Sequence, residues 1–170
     1  MKARIFLSVL LIAVLLVTNV LTAFAAEDAT ITITMAGPAV VVDIVDISAA
    51  PPSWEIKPVG LNSSYSKAFT LTNGGNVRVD TTIVGTDASG AGYHWVLNDY
   101  AGNNQYVIEY VVEGQTGTGK IVTTPVNFIQ DLQAEKSKNF LLTVKTPTAG
   151  DLPGAGQAMQ ATVTIHAVKG

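Results

Sequence analysis

Apolar and polar residues alternate along much of this chain. In the segment Ala29–Met35, Ile31, Ile33 and Met35 are separated by threonines. A period of two places successive side chains on opposite faces of a strand, so these three residues share one face. The same period recurs in Val77–Ile83, Gln105–Glu113, Lys138–Lys145 and Ala158–Val168. The pattern predicts strands with one buried and one solvated face, as in antiparallel sheets.

Turn-forming residues separate these segments. Asn73–Asn76 (Asn-Gly-Gly-Asn) predicts a tight turn in which glycine supplies positive φ, joining Lys67–Thr72 and Val77–Ile83 as a hairpin. The sequence contains no convincing amphipathic helix, and Asp131–Ser137 is long enough for one helical turn at most. After residue 25 the chain has 44 Val, Ile and Thr against seven Leu, which favours strands. We therefore predict an all-β fold: an antiparallel β-sandwich, immunoglobulin-like or jelly-roll, of nine to eleven strands.

The N-terminus has the features of an export signal. Met1–Arg4 is basic, Ile5–Val17 is almost entirely apolar, and Ala23 and Ala25 give the small-x-small pattern that precedes cleavage. The alternative is an uncleaved anchor, since about 20 apolar residues span a bilayer. We predict a signal peptide over 1–25, an N-terminal strand segment over 26–48 and a β-sandwich over 49–170. The protein is expected to be secreted, extracellular or cell-surface associated, without a membrane span after cleavage.

Composition narrows the range of partners and chemistry. The absence of cysteine excludes disulfides, a thiol nucleophile and cysteine-ligated metals. Loss of residues 1–25 removes two of the ten Lys and Arg and none of the 13 Asp and Glu, giving a net charge of 8 − 13 = −5. A chain of this charge has no basic surface for nucleic acid. We therefore expect no nucleic-acid partner.

Catalytic motifs are weak. Gly114–Lys120 has the spacing of a phosphate-binding loop, but Ile121 replaces the required hydroxyl and Pro125 interrupts any following helix. We interpret the run as a hairpin loop. Neither a Gly-x-Ser-x-Gly elbow nor a His-Glu-x-x-His motif occurs. The residues available for a catalytic set of nucleophile, base and acid are Ser89, His94 and Asp99, which would have to meet in space. We predict no enzymatic activity and no cofactor.

Four features are candidates for ligand binding or modification. The oxygen-rich loops Asp87–Gly90 and Asn98–Asn104 suit either turn formation or calcium. Trp95 and Tyr100 would stack on sugar rings if exposed, whereas a tryptophan in a sandwich strand is more often core. Asn62 begins an N-glycosylation sequon.

Three segments carry a family resemblance: Lys67–Asp80, Leu132–Phe140 and Lys145–Thr148. They resemble strand pairs of secreted immunoglobulin-like domains of bacteria and archaea. A signal peptide followed by one such sandwich is similar to TasA/camelysin-type matrix fibre proteins and archaeal bundling-pilus subunits. The resemblance covers roughly residues 54–168. It implies a non-enzymatic surface or matrix protein whose subunits join when one inserts its N-terminal strand into the next.

The segment Glu27–Ile47 lends independent support to such joining. It is β-prone, and its run Val40–Val42 is of a kind normally protected from water. It either forms the first strands of its own domain or completes a neighbour's sheet edge. The candidates for exchange are Ile31, Ile33, Met35, Val40, Val42 and Ile44. We predict a secreted structural or adhesive subunit that polymerises with itself; the alternative is an accessory module that binds surface polysaccharide.

Overall fold

The computed structural model describes residues 43–154 and 157–170, and these residues form strands, turns and loops without a helix. Ten strands occur in this part of the chain. They are β1 (Ile47–Ala50), β2 (Ser64–Asn73), β3 (Val79–Gly85), β4 (Ala88–Gly90), β5 (Tyr93–Leu97), β6 (Gln105–Val112), β7 (Gly119–Ile121), β8 (Val126–Asn127), β9 (Ser137–Lys145) and β10 (Val163–Lys169). The predicted all-β class is confirmed.

The strands form two sheets. The first has the order β1-β2-β9-β6-β5-β4, with β7 also paired to β6, and the second has the order β10-β3-β8. Every pair of strands is antiparallel except β5 and β6, which run parallel over a two-residue register. Two mostly antiparallel sheets sharing one apolar core are consistent with the predicted β-sandwich.

Alternate apolar residues of both sheets build this core. Phe69 and Leu71 of β2 point inward, as do Phe140 and Leu142 of β9. Ile83 of β3 contributes from the second sheet. Their neighbours in sequence are half-buried or exposed, so the period of two in the sequence is the period of burial in the strands.

The predicted hairpin at Asn73–Asn76 is wrong. β2 has β1 and β9 as its neighbours, whereas β3 lies in the other sheet. The connection is therefore an arch from one sheet to the other. The Asn73 side chain is fully buried and holds the arch: its amide nitrogen donates to Val77 O (2.8 Å) and Leu132 O (3.1 Å). The alternation of apolar and polar residues correctly predicted which side chains of the two segments face the core. It did not predict which strands the two segments pair with.

This arch needs glycine because another backbone segment lies very close to it, and not because a residue with positive φ is required. Neither Gly74 nor Gly75 is among the positive-φ residues. A Cβ atom at Gly75 would collide with the carbonyl oxygen of Ile44, because the chain entering β1 packs directly on the arch. The Gly74 amide donates to the carbonyl of Asp46 at 2.8 Å.

We expect Gly75→Ala to destabilise the protein by about 2 kcal/mol, since the added methyl must displace backbone rather than a flexible side chain. Gly74→Ala is the matched control. A Cβ there comes too close only to the carboxylate end of Asp46, which can rotate away, and it makes an ordinary contact with the Asp46 carbonyl oxygen, so we expect a change within about 0.5 kcal/mol. Urea unfolding of both variants measures the difference, and equal stability of the two would refute the close-approach explanation.

Candidate functional site

The N-terminal segment joins the domain at one end of β10. Asp43, the first described residue, places its carboxylate 2.6 Å from the Lys169 ammonium. The Ile44 amide then donates to the side-chain oxygen of Asn76 at 2.7 Å. From Ile47 onward the chain forms β1 and pairs with β2. The segment is thus anchored to its own domain from residue 43.

Ile44, an exchange candidate, therefore lies in its own domain, half-buried against the arch between β2 and β3. The other exchange candidates, Ile31, Ile33, Met35, Val40 and Val42, lie outside the described residues. Of the predicted 26–48 segment, residues 43–48 contact or pair with the domain of their own chain.

A polar cleft opens where β3 leads into β4. It has a volume of about 620 Å³ and is lined by Gly85, Thr86, Asp87, Ser89, Thr123, Gln160 and Thr162. The Thr86 hydroxyl accepts from the Thr162 amide at 3.0 Å. One carboxylate oxygen of Asp87 accepts from the Leu97 amide at 2.8 Å. In this lining, the Thr86 hydroxyl and one Asp87 carboxylate oxygen are thus bonded to neighbouring backbone.

The structure brings Ser89 and His94 together but not Asp99. Ser89 and His94 are directly opposite each other in β4 and β5. The carboxylate nearest the imidazole belongs to Asp87, 3.3 Å from His94 Nε2. Asp99 lies in the loop after β5, where its carbonyl accepts from the Lys120 ammonium. Within the described ranges no hydrogen bond joins the Ser89 hydroxyl to His94, so the arrangement lacks the nucleophile–base contact that acyl transfer needs.

Trp95 and Tyr100 do not form a shared aromatic platform. The Trp95 side chain is in the core, 5% exposed, and its indole N–H donates to Asp151 O at 2.8 Å. Its ring lies 6.4 Å from that of Tyr106. Tyr100 is 60% exposed. Of the two rings proposed to stack on sugars, only Tyr100 has the exposure that stacking requires.

Tyr106 is the most perturbed titratable group in the described part of the chain. Burial, with a smaller contribution from the Asp87 carboxylate, raises its pKa well above the ordinary 10.0. Its hydroxyl donates to Thr86 O at 2.6 Å, next to the polar cleft. Because both causes disfavour the phenolate, the folded protein keeps this proton at pH values where an unfolded chain has lost it.

We therefore expect stability to fall as the pH rises above 10.0, by up to about 1.4 kcal/mol per pH unit from this group. The stability linked to Tyr106 is fully present below that pH. Tyr106→Phe should lose about 1 kcal/mol at neutral pH with the hydrogen bond, and decline less steeply in alkali. Denaturant unfolding between pH 8 and 11 measures both effects, with exposed Tyr100→Phe as control. Parallel pH profiles for Tyr106→Phe and the parent would contradict this assignment.

Of the two oxygen-rich runs predicted as loops, Asp87–Gly90 leads into and forms the strand β4, whereas Asn98–Asn104 is a loop whose asparagine side chains bind backbone. Asn98 accepts from the Asp99 amide at 2.8 Å, and Asn104 accepts from the Asp151 amide at 2.9 Å. Among the described residues no group of three or more His, Asp or Glu side chains is placed to hold a metal ion. These bonds support turn formation as the role of the Asn98–Asn104 loop.

The run Gly114–Lys120 connects β6 to β7 as the predicted hairpin. Gly119 is opposite Tyr110, and Lys120 is opposite Glu109. A strand, not a helix, follows the glycines, so the N-terminal helix amides that bind phosphate in a P-loop do not occur here. Elsewhere, the sequon residue Asn62 is exposed in a turn, and its backbone N–H donates to Pro147 O at 2.7 Å.

Comparison with known proteins gives no family assignment. No protein-family model matches the chain. No curated protein matches it either. In the ranges 43–154 and 157–170, no helix has the length and apolar character to cross a membrane. The resemblance to TasA/camelysin-type fibre proteins therefore stays a prediction that depends on the motifs quoted above.

Proposed function

We propose that this chain is a secreted, non-enzymatic structural subunit of the cell surface or extracellular matrix. It polymerises with copies of itself, each subunit lending residues from its N-terminal segment to the next. The sandwich belongs to the immunoglobulin-like or jelly-roll kind. The arch from β2 to β3 supports that class, since Greek-key connections carry consecutive strands from one sheet to the other.

One observation carries the proposal: within residues 43–154 and 157–170, the buried apolar residues of the two sheets form one shared core. Every buried apolar residue in the described part lies between Phe69 and Ala167. The N-terminal segment meets this domain at residue 43 through surface contacts with Lys169 and Asn76. The preceding 17 residues still contain Ile31, Ile33, Met35 and Val40–Val42. Covering apolar residues at strand spacing with a sheet is favourable, because it removes their surface from water. A neighbouring subunit offers such a sheet.

Deletion of residues 26–42 from the exported chain tests the proposal. The truncated protein should keep its strand content and cooperative unfolding but elute as a monomer, whereas residues 26–170 should form high-mass assemblies. Light scattering after gel filtration measures the mass, and circular dichroism checks the fold. High-mass assemblies of the truncated chain would defeat the proposal.

A matched pair of triple variants separates the contribution of the apolar face to assembly from that of the segment as a whole. Ile31→Ser, Ile33→Ser and Met35→Ser together remove the apolar face of the first alternating strand. Thr30→Ser, Thr32→Ser and Thr34→Ser together also replace three residues by serine, but on the opposite face of the strand. The first set should abolish assembly and the second should preserve it. Equal loss with both sets would contradict a strand that inserts by one face.

A polysaccharide-binding module is the second candidate, and the exposed Tyr100 ring favours it. Aromatic faces stack on sugar rings, and the hydroxyl-rich cleft would add hydrogen bonds. Tyr100→Ala should then abolish retardation in polysaccharide-containing gels, while Tyr100→Phe, which retains the ring, should preserve it. Absence of retardation of the parent chain across a panel of surface polysaccharides would eliminate this candidate.

A further inference from the structure

Asp87, Ser89 and His94 form one cluster of polar side chains beside β4 and β5. Ser89 and His94 are directly opposite each other in these strands, so their side chains share a face. The N–H and C=O groups of Ser89 both bond to Gln160, at 3.0 and 2.9 Å, and thus point away from β5. Pairs of that kind have the closer side chains in an antiparallel ladder. Asp87, two residues earlier, completes the cluster with its carboxylate 3.3 Å from the His94 ring.

The distance between Asp87 Oδ2 and His94 Nε2 suits two ligands of one metal ion. At 3.3 Å it is longer than the usual N–H···O hydrogen bond of about 2.7–3.2 Å. Zn²⁺ bonds imidazole nitrogen and carboxylate oxygen at about 2.0–2.2 Å, and two tetrahedral ligands at that length are about 3.3–3.6 Å apart. The two atoms therefore have the separation of neighbouring zinc ligands.

The Leu97 amide orients the Asp87 carboxylate for this role. It donates to Oδ1 at 2.8 Å, while Oδ2 lies toward His94. Leu97 is in the core at 5% exposure, so the donor is fixed to the framework of the domain. Metal-binding carboxylates are commonly held by a hydrogen bond of this kind, which orients them toward the ion.

The cluster is accessible to solvent, and its carboxylate is not paired with a lysine or an arginine. The side chain of His94 is 56% exposed and that of Asp87 38%, so a hydrated ion can reach both. Asp87 and Ser89 also line the polar cleft. In residues 43–154 and 157–170 the ion pairs of Lys and Arg are made with Glu55, Asp131, Glu109 and Asp43, and not with Asp87. A divalent cation therefore does not have to displace a positive side chain from this carboxylate.

We propose that Asp87 Oδ2 and His94 Nε2 bind a Zn²⁺ ion at the edge of the polar cleft. Water takes the remaining coordination positions, and the Ser89 hydroxyl lies on the same face to hydrogen-bond it. Zinc suits this donor pair because it accepts both imidazole nitrogen and carboxylate oxygen, whereas calcium prefers oxygen ligands. Two protein ligands leave the site open, so we expect binding to be reversible. All three residues belong to the described domain, and zinc binding therefore does not depend on polymerisation.

Calorimetric titration of residues 26–170 with zinc chloride tests the site. The parent chain should bind one Zn²⁺ ion. Asp87→Asn retains an oxygen that accepts from the Leu97 amide but loses the charged ligand, so its affinity for zinc should fall at least about tenfold. His94→Gln removes the nitrogen ligand and should lower the affinity at least as much. Absence of saturable zinc binding by the parent chain, or unchanged binding by both variants, would overturn the proposal.

Asp99→Asn is the matched control for the Asp87 substitution. It removes the same charge from the exposed loop after β5, where the Asp99 carbonyl accepts from the Lys120 ammonium. The affinity for zinc should be unchanged. Equal losses at Asp87 and Asp99 would show that the acidic surface as a whole attracts zinc, and would contradict a specific site.

Nuclear magnetic resonance of the imidazole nitrogens identifies the ligand directly, because the chain has two histidines, His94 and His166. Zinc should shift the Nε2 signal of His94, which is assigned by its loss in His94→Gln, and the signals of His166 should stay in place. A shift at His166 with none at His94 would refute the site. Because the His94 side chain is exposed, His94→Gln should unfold at the same denaturant concentration as the parent, so its loss of zinc binding is not a loss of fold.

Discussion

Phe140→Ala should destabilise the protein by about 4 kcal/mol, the largest effect we expect from a single substitution. The Phe140 ring is 4% exposed and stacks on Phe69 with centroids 5.6 Å apart. It also meets the edge of the Phe128 ring at 5.0 Å. Phe128 follows β8 of the second sheet, so Phe140 connects the two sheets through aromatic contacts. Its removal leaves a cavity at the centre of the sandwich, which the surrounding strands cannot close.

Leu141→Ala provides the matched control for that prediction. Leu141 is the next residue of β9, points away from the core and is 39% exposed. We expect a change of about 0.5 kcal/mol. Chemical unfolding of the two variants on the 43–170 background measures both values free of assembly. Similar losses at the two positions would contradict the inward and outward assignment of β9.

Asn73→Ala should cost about 3 kcal/mol, the second largest effect. Asn73 is fully buried and makes three hydrogen bonds through its side chain: two donated to carbonyls, and one accepted from the Gly75 amide at 3.0 Å. Alanine leaves the Val77 carbonyl and the Gly75 amide without these partners in the interior. Each buried unsatisfied group costs about 1–3 kcal/mol.

Asn139→Ala is the corresponding control for Asn73. Asn139 is exposed on β9, and its side chain accepts one hydrogen bond, from the Thr70 hydroxyl at 2.8 Å. Water replaces that partner readily, so we expect a loss below about 1 kcal/mol. Thermal unfolding monitored by circular dichroism compares the two. A loss at Asn139 as large as that at Asn73 would show that burial does not decide the cost.

The strands and their inward faces could be predicted from sequence because they depend on local alternation. β6, β9 and β10 lie within or close to the predicted segments, and Phe140 and Leu142 face the core as expected. Each of these outcomes depends on residues two positions apart. The period of side-chain direction is a property of the strand itself, whatever its partners are.

Partner choice could not be predicted, because it depends on contacts between distant residues. Asn73–Asn76 has the composition of a hairpin turn, but the chain entering β1 packs on it and the next strand joins the other sheet. The role of Gly75 depends on Ile44, 31 positions earlier, and no local signal reveals it. The burial of Trp95 and its bond to Asp151 likewise arise from packing across the fold.

The geometry of the candidate sites likewise depends on strand pairing, which the local sequence pattern does not reveal. Ser89 and His94 are brought together because β4 and β5 form a short antiparallel pair, which their spacing suggests in retrospect. Asp87 is the carboxylate beside His94 because it precedes β4 by one residue, two positions before Ser89, which is directly opposite His94.

Negative-stain electron microscopy of purified residues 26–170 tests the central claim most directly. If subunits lend their N-terminal segments to one another, the images should show filaments of uniform width, and the 43–170 protein prepared in parallel should show only single small particles. Single small particles in both preparations, at concentrations where the protein is folded, would contradict the account.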